Sequence, residues 1–167
     1  MKHLSLTIAT ALFVFLSANA QCSDNLYGLP KSSDKLFCGK GFCIGFNYVN
    51  KSPDWVSYRA TNNEYLNKTP KKPKLYIDRN IPEEFQVDSY VFLENGFSIG
   101  KLANSNVIRK NKKAFYQTFT MYSVVPLHSG LPAVLWTLLE DEELRLVESL
   151  GEIFVYSGAL YLNGMNS

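Results

Sequence analysis

Two short basic clusters are the residues of this sequence best suited to bind a polyanion. One is Arg109-Lys110-Asn111-Lys112-Lys113, the other is Lys71-Lys72-Pro73-Lys74, and aromatic residues lie close to both. Lysine and arginine neutralise phosphates and aromatic rings stack on bases, so such clusters can follow a nucleic-acid backbone. A run of charges also commonly does no more than solvate a surface. The first cluster (Arg109, Lys110, Lys112 and Lys113) predicts weak, salt-sensitive nucleic-acid binding, with a solvated surface as the alternative.

The first twenty residues predict a secretory signal peptide. Met1-Lys2-His3 gives a positive start, residues 4–16 form an apolar run, and Ala18-Asn19-Ala20 is a small-residue exit. At 1.5 Å per residue this run reaches about 20 Å, too short for the roughly 30 Å hydrocarbon core of a membrane. We therefore expect cleavage after Ala20 and a secreted or periplasmic protein without a membrane segment.

Three cysteines, Cys22, Cys38 and Cys43, offer either disulfide or metal chemistry. Zinc needs four ligands, and the sequence has neither a second cysteine pair nor a histidine cluster to complete them. Export to an oxidising compartment favours a disulfide, for which we predict Cys22 and Cys38. Pairing of Cys38 with Cys43 is the competing arrangement.

The composition is that of a folded domain. The chain has 167 residues, of which 46% are hydrophobic and 14% aromatic, which excludes a disordered chain. The net charge of +2 neither requires nor excludes a nucleic-acid partner. Because His3 lies in the predicted leader, His128 is the only histidine of the remaining chain, which excludes a mechanism that needs two. Residues 21–167 are predicted to form a single domain.

The hydrophobic pattern predicts an α+β domain with a mostly antiparallel sheet. Aromatic and β-branched runs bounded by turn residues predict strands. These runs are Gly41 to Val49, Trp55 to Tyr58, Thr118 to Val125 and Ile153 to Tyr156. The segment before residue 38 is predicted to be an arm or loop.

One long amphipathic helix is predicted over Pro132 to Leu150, with Gly151 as its C-terminal stop. Its apolar stripe consists of five leucines at helical spacing, widened by Trp136 and Val147. The leucines are Leu135, Leu138, Leu139, Leu146 and Leu150. Three acidic residues, Asp141, Glu142 and Glu143, are expected to face water.

Five segments in order form a recognisable series. Phe42 to Tyr58 contains Pro-x-Trp-Val-x-Tyr, and residues 96–103 read Gly-Phe-Ser-Ile-Gly-Lys-Leu-Ala. The others are Thr118 to Pro126, Leu131 to Glu140 and Val155 to Gly158. The series resembles the DNA/RNA non-specific endonuclease family, the secreted ββα-metal nucleases, over roughly residues 38–160. That family fold continues beyond its last matching strand, so the resemblance implies a C-terminally shortened member.

The resemblance implies a phosphodiesterase chemistry whose parts are mostly replaced here. In the family a histidine activates water, a divalent ion held by an asparagine stabilises the leaving oxygen, and an arginine steadies the charge. Lys101 stands at the histidine, Pro132 at the asparagine and Ile99 at the arginine. Glu140, a helix carboxylate near the ion, is retained. Ser98, Ser123, Leu127 and Leu144 stand at further site positions where the family has an aspartate, an asparagine, a glutamine and an arginine.

The retained and the replaced positions differ in kind. The retained ones serve turns and packing, and the replaced ones serve proton transfer, metal ligation and phosphate charge. The resemblance therefore implies an exported pseudoenzyme with a degraded active site, which binds nucleic acid, an active nuclease partner or a second copy of itself. No cofactor is then expected. The alternative is an active, divergent endonuclease that uses Mg²⁺, with Lys101 as base and Glu140 at the ion.

Overall fold

The computed structural model describes residues 22, 28–39, 41–62, 70–108, 111–128, 130 and 133–160. The predicted signal peptide, Arg109, Lys110 and Pro132 lie outside these ranges. In chain order the elements are β1 (Lys35–Gly39), β2 (Phe42–Asn47), β3 (Ser52–Thr61), α1 (Ser89–Glu94), β4 (Phe97–Lys101), α2 (Lys112–Gln117), β5 (Val124–His128), α3 (Ala133–Leu150) and β6 (Glu152–Gly158).

The elements form two antiparallel sheets. The larger sheet has the order β1-β2-β3-β6, and β4 pairs with β5 in the smaller one. Strands β2 and β3 are almost entirely buried. One face, with Phe42, Ile44 and Val56, enters the main core. Cys43 and Trp55 on the other face pack in a smaller cluster with Cys22. The predicted α+β class with an antiparallel sheet is confirmed.

Residues 118–123 do not form the predicted strand. Thr118 ends helix α2, and Met121–Ser123 form a 3₁₀ turn. The hydroxyl groups here bond nearby carbonyls: Thr118 Oγ1 donates to Phe115 O at 2.7 Å and Thr120 Oγ1 to Gln117 O at 2.7 Å. Such local bonds compete with a sheet ladder. Strand β5 therefore begins at Val124.

Strand β5 continues through Pro126, where the prediction stopped it. Pro126 lies opposite Ile99 of β4. A proline is tolerated in a strand when its missing N–H would point away from the partner, as on an edge. The pairing of β4 with β5 and strand β1 were not predicted.

Helix α3 turns a different face to the sheet from the one predicted. Val147 is 1% exposed, whereas Leu135 is 47% and Leu150 67% exposed. The side chains directed inwards are those of Trp136, Glu140, Glu143, Leu144 and Val147. The predictions that the leucine stripe is the buried face and that Glu143 faces water are therefore wrong. Of the described helices, none has the length and apolarity needed to cross a bilayer.

Candidate active site

The antiparallel pair β4–β5 and helix α3 bring Lys101 and Glu140 together. Lys101 is the last residue of β4 and pairs with Val124, and helix α3 follows β5 along the chain. Burial lowers the pKa of Lys101 and raises that of Glu140, and the charge of each residue opposes the shift of the other, as expected for neighbouring opposite charges. The two positions that the family resemblance singled out thus belong to one site in the fold.

The Lys101 ammonium is held by two contacts inside the protein. Its Nζ donates a hydrogen bond of 2.8 Å to Ser105 Oγ and lies 4.7 Å from the centroid of the Phe119 ring. Both contacts favour the charged form. Burial lowers the pKa of Lys101 overall, the charge of Glu140 opposes this change, and the charge of Lys72 adds to it.

The Glu140 carboxyl is half-buried and incompletely satisfied. Its Oε1 is buried and finds no hydrogen-bond partner among the described residues. Burial raises the pKa of Glu140, whereas the charges of Lys101 and Lys72 lower it. An ionised carboxylate is therefore more costly here than at the protein surface.

Sequence reasoning missed a second acidic group beside the first, Glu143. Tyr58 Oη donates a hydrogen bond of 2.7 Å to Glu143 Oε2, and burial raises the pKa of both groups. Asn104 fixes the surrounding backbone: its Nδ2 donates to Glu140 O at 3.0 Å, and its N–H donates to Tyr58 Oη at 3.4 Å. Tyr58 ends the Pro-x-Trp-Val-x-Tyr segment, but no spacing in the sequence links it to Glu143.

Two of the other replaced positions, Ser123 and Leu127, hold packing groups. Ser123 is fully buried, and its Oγ lies 2.9 Å from Thr118 O and 2.8 Å from Thr120 O. The Leu127 side chain covers Gly100: a Cβ built on that glycine would lie 2.7 Å from Leu127 Cδ1. Both side chains pack within or beside the β4–β5 strand pair and are not directed to a ligand.

The donor set around Glu140 does not fit a divalent cation. Mg²⁺ is held by oxygen ligands, usually one or two carboxylates together with substrate phosphates. Here the charges that act on the Glu140 carboxylate include those of Lys101 and Lys72, which repel a cation. Within the described ranges, three potential metal ligands converge only at the cysteines.

The cysteines lie together at the edge of the larger sheet. Cys22 Sγ is at bonding distance from both Cys38 Sγ and Cys43 Sγ. A sulfur atom forms one disulfide, so these are alternative pairings. Disulfide bonding of the cysteines is confirmed, with Cys22 as the shared partner. Cys22–Cys38 is the pairing that we predicted, and Cys22–Cys43 takes the place of the expected competitor.

The described part of the first basic cluster lies at the start of helix α2. Lys112 and Lys113 are exposed, and Lys112 Nζ lies 6.0 Å from the centroid of the Tyr116 ring. Asn111 caps the helix by accepting a 3.1 Å hydrogen bond from Ala114 N. His128 is far from Lys101: it lies four strand residues away, opposite Phe97, which is about 13 Å.

Several known nucleases are similar in sequence to this chain. The chain is 25% identical over 135 residues to the mitochondrial nuclease EXOG of Danio rerio, a match covering 80% of this chain and 39% of that protein. It is 23% identical over 151 residues to a nuclease of Syncephalastrum racemosum, covering 88% of this chain and 47% of that protein. The chain thus spans less than half the length of these curated relatives. No protein-family model matches the chain.

The fold is shared with a solved nuclease structure. One chain from the crystal structure of an EndoG/EndoGI complex, described as showing the mechanism of EndoG inhibition, superposes with a TM-score of 0.73 at 22% identity. The match covers 81% of this chain and 57% of that chain. The nuclease relatives and the shared mixed α+β fold together relate the chain to the DNA/RNA non-specific endonuclease family.

Proposed function

We propose that this protein is an exported, non-catalytic member of the nuclease fold that binds nucleic acid through its former active site. Export rests on the leader-like pattern of residues 1–20. The single observation that carries the loss of catalysis is the state of Lys101. Its Nζ donates to Ser105 Oγ and lies over the Phe119 ring, and both contacts favour the cation against the burial that lowers its pKa.

A cation at this position supports binding of a phosphate and opposes general-base catalysis. An ammonium has three donors, and Ser105 takes one, which leaves two for phosphate oxygens. A base must instead accept a proton from water, and lysine does so only when its pKa is depressed by several units. The contacts with Ser105 and Phe119 act against such a depression.

The side chains at the family's metal positions also do not support binding of a catalytic metal ion. With Mg²⁺ bound, a nuclease of this fold gains a charge that stabilises the leaving oxygen. Glu140 is the only described carboxylate at a family metal position, and the charges of two lysines act on it. Pro132, at the asparagine position, has no side-chain atom that can bind a metal.

The remaining positive groups suit backbone contacts without sequence reading. Lys72, Lys112 and Lys113 are exposed, and the charge of Lys72 acts on the Lys101–Glu140 site. Lysines that meet phosphates supply salt-dependent affinity and little specificity. We therefore expect similar affinities for DNA of different sequences.

An active, divergent endonuclease is the second candidate, favoured by the lowered pKa of Lys101. General-base catalysis alone is worth only about 10²–10⁴-fold, far less than phosphodiester cleavage requires. A plasmid-nicking assay with Mg²⁺ or Mn²⁺ distinguishes the candidates. The proposal predicts that the wild type does not nick the plasmid but binds it at low salt. Nicking that disappears in Lys101→Ala would establish the enzyme instead.

A further inference from the structure

Three sulfur atoms converge where Cys22 packs against strands β1 and β2. The two strands place Cys38 directly opposite Cys43, so these side chains leave the sheet on the same face. The Sγ atoms of Cys22, Cys38 and Cys43 all lie within 4.8 Å of one another. Three cysteines close only one internal disulfide, so the position of that bond decides which residue keeps its thiol.

Both pairings of Cys22 fit the same backbone. The Cα atoms of Cys22 and Cys38 are 5.2 Å apart, and those of Cys22 and Cys43 are 6.0 Å apart. Disulfides join residues whose Cα atoms are about 4.4–6.8 Å apart, so both distances lie within the range. A change from one pairing to the other therefore needs new side-chain rotamers but no movement of a strand.

The three cysteines differ in their access to solvent. Cys22 is 5% exposed and Cys43 is 1% exposed, and both pack with Trp55 in the smaller core cluster. Cys38 is exposed and lies on β1, which ends the strand order of the larger sheet. A reagent in solution therefore reaches position 38 and not position 43. The pairing of Cys22 with Cys38 places the thiol inside the protein, and its pairing with Cys43 places the thiol at the surface.

We propose that the three cysteines share one disulfide that exchanges between these two pairings, and that the exchange makes Cys38 a site of modification by small disulfides. In the first step the Cys43 thiolate attacks Cys22 Sγ of the Cys22–Cys38 disulfide. The Cys22–Cys43 bond forms, the Cys22–Cys38 bond breaks, and Cys38 leaves as a thiolate. No electrons are gained or lost overall, and the proton given up by Cys43 is available to Cys38.

The second step uses a low-molecular-weight disulfide, for which glutathione disulfide is the probe. The Cys38 thiolate attacks one sulfur atom of the reagent, a mixed disulfide forms on Cys38, and one glutathione thiolate leaves. Cys38 is oxidised to the disulfide level, and half of the reagent is reduced to a thiol. The mixed disulfide removes the thiolate that would reverse the first step, so the modified protein keeps the Cys22–Cys43 bond. These steps do not depend on the nucleic-acid contact proposed above.

Acid quenching followed by peptide mapping of the naturally processed protein tests the exchange. Low pH protonates the thiolates and stops the exchange, so the remaining thiols can be alkylated in denaturant at the same pH and the disulfides assigned by mass spectrometry. The wild type should give two isomers, one alkylated on Cys43 and the other on Cys38. A single isomer would overturn the proposal, whichever two cysteines it joins.

Incubation of the folded protein with glutathione disulfide tests the modification. The wild type should convert to one product, with glutathione on Cys38 and a disulfide between Cys22 and Cys43. Cys43→Ala is the matched variant, because Cys22 and Cys38 then close the disulfide and leave no thiol to react. This variant should take up no glutathione, and circular dichroism verifies that it is folded. Uptake by Cys43→Ala at the wild-type rate, or glutathione on Cys22 or Cys43 of the wild type, would overturn the proposal.

Gly100→Ala distinguishes exchange in the folded protein from reaction of the unfolded chain. The added Cβ crowds Leu127 in the smaller sheet and lowers the stability without changing a cysteine. Reaction in the folded protein should proceed at the wild-type rate. Reaction through global unfolding would be at least about fivefold faster in this variant, since its unfolded fraction rises by that factor for a small loss of stability. The faster rate would contradict an exchange built into the folded structure.

Discussion

Tyr58 Oη donates a hydrogen bond of 2.7 Å to Glu143 Oε2 and thereby ties strand β3 to helix α3, 85 residues further along the chain. The half-buried carboxylate accepts hydrogen bonds from both Tyr58 and the Asn104 side chain. Together with the contact from Asn104 Nδ2 to Glu140 O, the bond from Tyr58 fixes the rotation of helix α3. The same rotation directs Glu140 towards Lys101 and leaves the leucine stripe outside.

Removal of this hydrogen bond should destabilise the protein. Tyr58→Phe removes one of the two side-chain donors to the half-buried Glu143 carboxylate, the other being Asn104, so we expect the free energy of unfolding to fall by about 1–3 kcal/mol. Tyr90→Phe is the matched control, because Tyr90 bonds Glu94 at the surface. That change should cost less than about 0.5 kcal/mol. Urea unfolding measures both; equal costs would contradict the role given to Tyr58.

The buried acids should make stability depend on pH. Burial raises the pKa of Glu140 and Glu143, so the folded protein binds more protons than the unfolded chain between the unfolded and folded pKa values. These two groups therefore lower the free energy of unfolding as pH rises through this window, which starts at about 4.3. Above the window their contribution levels off.

Glu140→Gln isolates one part of this dependence. The neutral amide should make the fall with pH shallower and raise the free energy of unfolding at pH 7. Urea unfolding at several pH values between 4 and 7 measures it, with exposed Glu84→Gln as the control. A lower stability of Glu140→Gln at pH 7 would contradict this expectation. It would show that the attraction between Lys101 and the Glu140 carboxylate exceeds the cost of burying that carboxylate.

Nucleic-acid binding should depend on Lys101 without depending on sequence. Lys101→Met should weaken binding to duplexes of different sequence equally and reduce the slope of log affinity against log salt by about 1. Lys35→Met on the edge strand β1 serves as the control and should leave the slope unchanged. Fluorescence anisotropy between low and physiological salt measures it. An unchanged slope in Lys101→Met would remove this residue from the interface.

A side chain at position 100 should destabilise the β4–β5 strand pair. Gly100→Ala places a Cβ about where Leu127 already packs, so we expect a loss of about 1–3 kcal/mol of stability. Adding Leu127→Ala removes the obstructing atoms and should make the cost of the glycine substitution smaller in the double mutant. Thermal unfolding of the four proteins in this cycle gives the coupling. Simple additivity would contradict the close contact between Gly100 and Leu127.

The sequence was sufficient for the fold class and for the pairing of Lys101 with Glu140, and it misled us on helix α3. The five leucines form a periodic stripe, but the face with Trp136 and Val147 is the buried one. Periodicity alone ranks the faces of a helix by hydrophobicity. It contains no information about a partner distant in sequence, such as Tyr58. The threonines of residues 118–123 likewise matched a strand, although their hydroxyl groups bond local carbonyls. The order and spacing of the motifs carried the site, since they preserve tertiary neighbours that no local pattern encodes.

Calorimetric titration with Mg²⁺ and Mn²⁺ tests most directly whether this site can support nuclease chemistry. We predict no binding above that of Glu140→Gln, because Tyr58 engages the neighbouring Glu143 carboxylate and the charges of two lysines act on Glu140. Saturable binding that is lost in Glu140→Gln, together with cleavage of DNA under the same conditions, would contradict the account.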